Sequence, residues 1–310
     1  VVLYIGKLKI FTTEEITVMA HSKSISLLLL NGDVNGIIKC TVPIWTGVAY
    51  KIPRTKLDDC KNRDDLKQTG VYFLFGESDE TGEPVVYIGQ AGIRKNGEGI
   101  LYRLQEHRRN PKKDYWTEAV VFTTSNNSLG PTEISYLENQ FCNLALSIGR
   151  YDVKNGNDPT PGNITEEKES ELDAFIEYAK MVIAILGYKV FTPLVQKPVE
   201  MPETEVEDID LFLSRTIRQI DKTVNAKGRQ TAEGFVVLKG SQISPVDDDT
   251  ISEKMKELRK NTKVNSDYEL LEDVMFNSPS SAAVFVTGKS TNGLVAWKTA
   301  DGKTLKDLED

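Results

Sequence analysis

Apolar and polar positions along the 310-residue chain repeat with two different periods, and each change of period marks an element. The runs Gly70–Phe75 (GVYFLF) and Pro84–Gly89 (PVVYIG) are short, β-branched and aromatic, as half-buried strands are. Between them Gly76–Glu83 is polar and rich in turn formers, which predicts a β-hairpin. Alternation along the two strands can bring the hydroxyls of Tyr72 and Tyr87 to one face. Upstream, the turn dipeptides Asn31-Gly32 and Asn35-Gly36 interrupt β-like runs between Ser24 and Trp45, a second small hairpin. Downstream the period lengthens. Gly99–His107 reads as a helix that sets Arg103 and His107 on one face, four residues apart. A strand follows at Glu118–Thr123. A second helix covers Thr132–Ala145, with Pro131 at its start, where a missing N–H costs nothing, and Glu138 in its middle.

A third helix spans Glu166–Leu186, with Leu172, Phe175, Ile176, Ala179, Val182, Ile183 and Leu186 on one stripe, Thr165 as cap and Gly187 at its end. Residues 192–207 carry three prolines and several acids, the composition of a linker. Beyond it lie a strand at Gly234–Gly240, a charged helix near 250–261, and Ser278-Pro279, a capping residue and first helical position. The expected layout is an extension over 1–21, a small β unit over 22–66, a central domain over 67–191, the linker, and an accessory domain over 208–310. Met19 reads as the native start. The first apolar run is short and interrupted by Lys7 and Lys9, so neither a membrane span nor a signal peptide is expected.

Composition is that of an ordinary globular chain, 39% hydrophobic and 27% charged. Cys40, Cys60 and Cys142 form no CxxC pair and suggest neither a zinc site nor a disulfide framework, which fits a cytoplasmic protein. The net charge of −8 argues against a generally basic coat. Locally the balance reverses. From Ala91 to Tyr115 seven basic residues (Arg94, Lys95, Arg103, Arg108, Arg109, Lys112, Lys113) face three acids, a balance of +4 suited to a phosphate backbone. The alternative reading of these cations is a solvated helix face.

A hairpin bearing two tyrosines, a helix with Arg and His at i and i+4, and a later helix with one Glu together resemble the GIY-YIG nuclease domain, here with GVY at 70–72 in place of GIY. The resemblance covers about 70–160. GFVVLKGS, SPSSAA and NGLVAWK in the last hundred residues resemble a domain of unknown function that often trails GIY-YIG domains. The fold class implied is α+β: a small antiparallel sheet flanked by helices, with an N-terminal β unit and a C-terminal α+β accessory domain. The site implied is Tyr72, Tyr87, Arg103, His107 and Glu138. The family places an Asn after the Glu helix, for which Asn155 is the choice ahead of Asn157 and Asn163.

The resemblance implies an endonuclease that hydrolyses phosphodiester bonds in DNA, with Glu138 holding Mg²⁺ or Mn²⁺. Such chemistry needs a deprotonated water, stabilised nonbridging oxygens and a neutralised leaving oxygen. Arg103 offers a planar fork to the phosphate. Tyr72 or His107 takes the proton of the water. Gly89 and Gln90, in a flexible loop 89–92, and the cations Arg94, Lys95, Arg108, Arg109, Lys112 and Lys113 are expected to contact substrate. The alternatives are a nucleic-acid-binding or protein-interaction module without turnover, and a nuclease acting on RNA or branched DNA.

Overall fold

The computed structural model describes residues 22–93, 98–156, 163–195, 209–217 and 221–309. The expected extension over 1–21 lies outside them, as does most of the expected linker. The chain divides into two compact units, one within Ala20–Pro193 and one within Leu194–Asp310.

The first unit is built on one seven-stranded sheet. Its strands are β1 (Ser26–Leu29), β2 (Ile38–Thr41), β3 (Gly47–Pro53), β4 (Gly70–Glu77), β5 (Pro84–Ala91), β6 (Trp116–Thr124) and β7 (Asp152–Val153), in the order β1-β2-β3-β6-β4-β5-β7. Neighbours are antiparallel except β5 and β7, which makes the sheet mixed. The segment 22–66, expected to be a unit of its own, contributes three strands to this sheet. The cause is visible in β3. Val48, Ala49, Tyr50 and Ile52 are buried although they alternate between the two faces, so the strand needs cover on both sides and a partner along its length. It finds the partner in β6, from Gly47 opposite Thr124 to Pro53 opposite Glu118.

Three helices cover the sheet: α1 (Ile100–Arg109), α2 (Pro131–Ile148) and α3 (Glu166–Ile185). Strand β4 shows how the faces separate. Val71, Phe73 and Phe75 join a core with Phe141 of α2 and with Phe175 and Val182 of α3, and the Phe73 and Phe141 rings meet edge to face at 5.1 Å. Tyr72 and Leu74 point the other way. They pack with Ile100, Leu101 and Leu104 of α1 and with Leu57, Cys60 and Leu66 of two short 3-10 segments, Arg54–Cys60 and Asp64–Lys67. Asp65 anchors the second segment to the sheet by accepting from Tyr50 Oη (2.6 Å) and Lys39 Nζ (2.9 Å). The start of α1 is tied in turn to the entry of β4, because Ile100 N donates to Gln68 O at 3.1 Å. Hairpin and helix therefore hold a fixed relation.

The second unit pairs β8 (Asp210–Ile217), β9 (Lys222–Thr231), β10 (Gly234–Val237) and β11 (Val274–Phe276) in an antiparallel sheet of order β11-β10-β9-β8. Helix α4 (Glu253–Asn261) is the charged helix expected near 250–261. Helix α5 (Pro279–Thr287) begins at Ser278, whose hydroxyl accepts from Ser281 N. Short helices α6 (Gly293–Ala296) and α7 (Leu305–Glu309) follow. The core gathers Phe235, Phe276, Phe285 and Trp297. The architecture as a whole is α+β.

Candidate active site

Pairing of β4 with β5 sets Tyr72 opposite Gly89 and Leu74 opposite Tyr87, so the two tyrosines share the α1 face as the alternation requires. Their ring centroids are 6.3 Å apart. Tyr72 lies across Gly89. A methyl group on Gly89 would stand 2.4 Å from the Tyr72 hydroxyl, so only glycine leaves that hydroxyl its place. Beyond the glycine the Tyr72 hydroxyl reaches His107 Nε2 at 2.6 Å. The imidazole, 4% exposed, sits 5.3 Å from both tyrosine rings, centroid to centroid.

Arg103 lies one turn earlier on the same helix face. Its Nη1 pairs with Glu106 Oε2 at 2.9 Å, and its charge bears on Tyr72, Tyr87, His107 and Glu138. Glu138 comes from α2. Gln90 of β5 donates to Glu138 Oε2 at 2.8 Å and also meets Ser135 Oγ at 3.2 Å. Glu133 takes no part, because it caps the start of α2 by accepting from Gly130 N at 3.0 Å. Lys113 ends a 3-10 turn, Pro111–Lys113, and holds its ammonium 3.0 Å from the centre of the Tyr87 ring.

Burial and charge set the proton affinities. The His107 imidazole is pushed down to about 3 by burial, with the Lys113 and Arg103 charges adding to it, so it is neutral near pH 7. Burial raises Tyr72 well above the ordinary phenol range, and the neighbouring Tyr87 adds to this. Glu138 is also raised by burial, against the Gln90 hydrogen bond and the charges of Arg103 and Lys113. Lys113 is pushed down to about 8 by burial and by Arg103. The site thus sets two cations, Arg103 and Lys113, and two carboxylates, Glu106 paired with Arg103 and Glu138 opposed by burial, around a neutral imidazole.

Of the residues expected from the sequence, Tyr72, Tyr87, Arg103, His107 and Glu138 converge. Asn155 acts at one remove. Its Oδ1 accepts from Ile88 N (3.0 Å) and its Nδ2 donates to Ile88 O (2.7 Å), pinning the backbone between Tyr87 and Gly89. Gly89 and Gln90 stand in β5 rather than in a loop, since their backbone pairs with Tyr72 and Val71. Gly89 leaves room for the Tyr72 hydroxyl and Gln90 holds Glu138. Arg108 is turned away and forks onto Asp58 (3.0 and 3.4 Å). Arg109 and Lys112 are exposed, while Arg94, Lys95 and Asn157 lie outside the described residues. Sequence reasoning missed Ser135 and Glu106. Each lies three residues from a site residue on its own helix, and that spacing is the signal that could have found them.

Among the described residues no group of three or more His, Cys, Asp or Glu side chains could hold a metal ion. The donor set therefore does not fit an all-protein cage. Glu138, half-buried with its carboxylate charge opposed by burial, does fit a hard divalent cation that takes one carboxylate and completes its shell with water and phosphate oxygens.

Comparison with known families matches residues 217–309 to the domain of unknown function DUF4357, which fits a trailing domain of that kind in the second unit. No GIY-YIG family match accompanies it. No curated protein and no solved structure matches the chain. Among the described residues, no helix is long and apolar enough to cross a membrane.

Proposed function

We propose that the Ala20–Pro193 unit is a GIY-YIG-type endonuclease that hydrolyses phosphodiester bonds in DNA. One observation carries the reading: Tyr72, Tyr87, Arg103, His107 and Glu138, drawn from two strands and two helices, come together in one half-buried cluster whose charges act on one another.

Each residue then has a task. Arg103 presents its guanidinium to the nonbridging oxygens of the phosphate and stabilises the charge that grows there as water adds. Tyr87, the less buried of the two tyrosines, orients the attacking water through its hydroxyl. The proton lost by that water passes inward. His107 Nε2 is covered by the Tyr72 hydroxyl, so a proton reaches that nitrogen through Tyr72, which gives up its own as it gains one. Burial is the main cause of the low proton affinity of His107, and a bound phosphate raises that affinity by opposing the Lys113 and Arg103 charges that lower it further. Asn155 and Gly89 keep the Tyr87 strand and the Tyr72 hydroxyl in register for this transfer. Glu138, oriented by Gln90, would hold Mg²⁺ or Mn²⁺, which as a Lewis acid would supply charge stabilisation to the phosphate and leaving oxygens.

Incubation of the full chain with supercoiled plasmid, in Mg²⁺ or in EDTA, tests the reading. Nicked or linear product that forms in Mg²⁺ alone supports it. An intact plasmid, with single-stranded, branched and RNA substrates equally intact, contradicts it.

A further inference from the structure

We propose that Lys113 is a catalytic residue of this site, whose ammonium binds an oxygen of the scissile phosphate on the Tyr87 side while Arg103 binds another. The proposal rests on the nuclease reading above and adds to it a cation that lies outside the tyrosine, arginine, histidine and glutamate set.

Three features of Lys113 lead there. Its backbone is fixed. Asn110 accepts from Lys112 N through its side chain (3.0 Å) and from Lys113 N through its carbonyl (3.0 Å), which fixes the turn after α1 from which this side chain reaches the Tyr87 ring. Its ammonium is half-buried over the Tyr87 ring, 3.0 Å from the centroid, and has no ion pair among the described residues. Arg108 nearby, by contrast, has Asp58. A ring face repays only part of what an ammonium loses on leaving water, and an anionic oxygen would repay the rest. Finally, its electrostatic neighbours are Arg103 and Glu138, the groups that bracket the phosphate in the proposed mechanism. A cation held short of an anion beside the reacting groups is preorganised for charge that arrives with the substrate.

The competing account is that Lys113 only packs on Tyr87. Lys113→Met keeps the apolar stem and removes the charge; Lys113→Arg keeps the charge. Both are compared with the unaltered chain for melting temperature, for binding of a labelled duplex oligonucleotide over a range of salt, and for plasmid cleavage in Mg²⁺. The expected result is a Met variant that folds, has a salt slope lower by about one, and cleaves saturating DNA on the order of 10–100-fold more slowly, with partial recovery in the Arg variant. Unchanged cleavage and salt slope in the Met variant, whatever its melting temperature, overturn the proposal. Should the Met variant not fold, acetylation of Lys113 in the unaltered protein decides: protection by the oligonucleotide supports the proposal and equal labelling overturns it. If the unaltered protein binds DNA and cuts nothing, the nuclease reading fails separately. Lys113 is then judged as a phosphate ligand, supported by binding that Met weakens and Arg restores, and overturned by binding that neither changes.

Discussion

The Tyr72 hydroxyl stands 2.6 Å from His107 Nε2, and both side chains are buried. The contact joins the first strand of the hairpin to the last turn of α1, 35 residues away in sequence, and places a neutral imidazole behind a phenol. Arg103 bears on both members of this pair and Lys113 on His107, so a change of charge in front of it is felt by the proton it shares.

The first consequence is acid sensitivity. His107 titrates at about 3 in the folded chain and near its ordinary ~6.5 when unfolded, so between these values the unfolded chain binds the extra proton. Stability from the neutral imidazole is complete above pH ~6.5 and is lost as the pH falls toward 3. Urea midpoints at pH 7.0 and 4.5 measure it. Unfolding free energy is expected to fall by about 2–3 kcal/mol more in the unaltered chain than in His107→Gln. Equal losses in the two proteins would remove the buried neutral histidine from the account.

Gly89→Ala would drive a methyl group against the Tyr72 hydroxyl, at 2.4 Å before relaxation. The expected cost is about 1–3 kcal/mol of stability, as for other overpacked sites, with loss of cleavage because the hydroxyl must leave His107. Chemical denaturation and plasmid cleavage on the same preparation check both halves.

Asn155→Ala removes two hydrogen bonds to Ile88 and leaves its N–H and C=O without those partners. A cost of roughly 1–3 kcal/mol is expected. Because Asn155 touches the strand rather than the pocket, a slower cleavage step with little change in DNA affinity is the expected kinetic signature. Single-turnover rates beside equilibrium binding separate the two.

Of the cations on α1 and its following turn, Arg108 is occupied by Asp58 whereas Arg109 and Lys112 are exposed. Arg109→Ala and Lys112→Ala are each expected to lower the salt slope of DNA binding by about one, and Arg108→Ala to leave it nearly unchanged. Loss of the exposed Arg108 pair should cost no more than ~1 kcal/mol in stability. Binding isotherms from low to moderate salt test the set.

The site was legible where its residues are local. Arg103 and His107 share a face by helical spacing alone, and the two tyrosines share one by strand alternation. The Glu138 helix and the cap at Ser278 likewise followed from nearby residues. What could not be read depends on pairing between distant segments. The union of β3 with β6 joins residues about 70 apart; the unbroken apolar run Val48–Tyr50 signals a strand covered on both faces, but nothing within 22–66 names its partner. Gln90 holding Glu138 is of the same kind, since 48 residues separate donor from acceptor. Lys113 was visible only as one charge in a basic run; that its ammonium folds back over Tyr87 is fixed by the Asn110 turn.

Glu138 offers the most direct test of the account. Glu138→Gln keeps the shape and a polar partner for Gln90 while removing the charge that would hold a divalent cation. The measurement is plasmid cleavage in Mg²⁺ by this variant and the unaltered chain, with duplex binding determined for both. Cleavage lost by on the order of a hundredfold or more, with binding within a few-fold, is the predicted result. Cleavage that survives the substitution at the rate of the unaltered protein would contradict it.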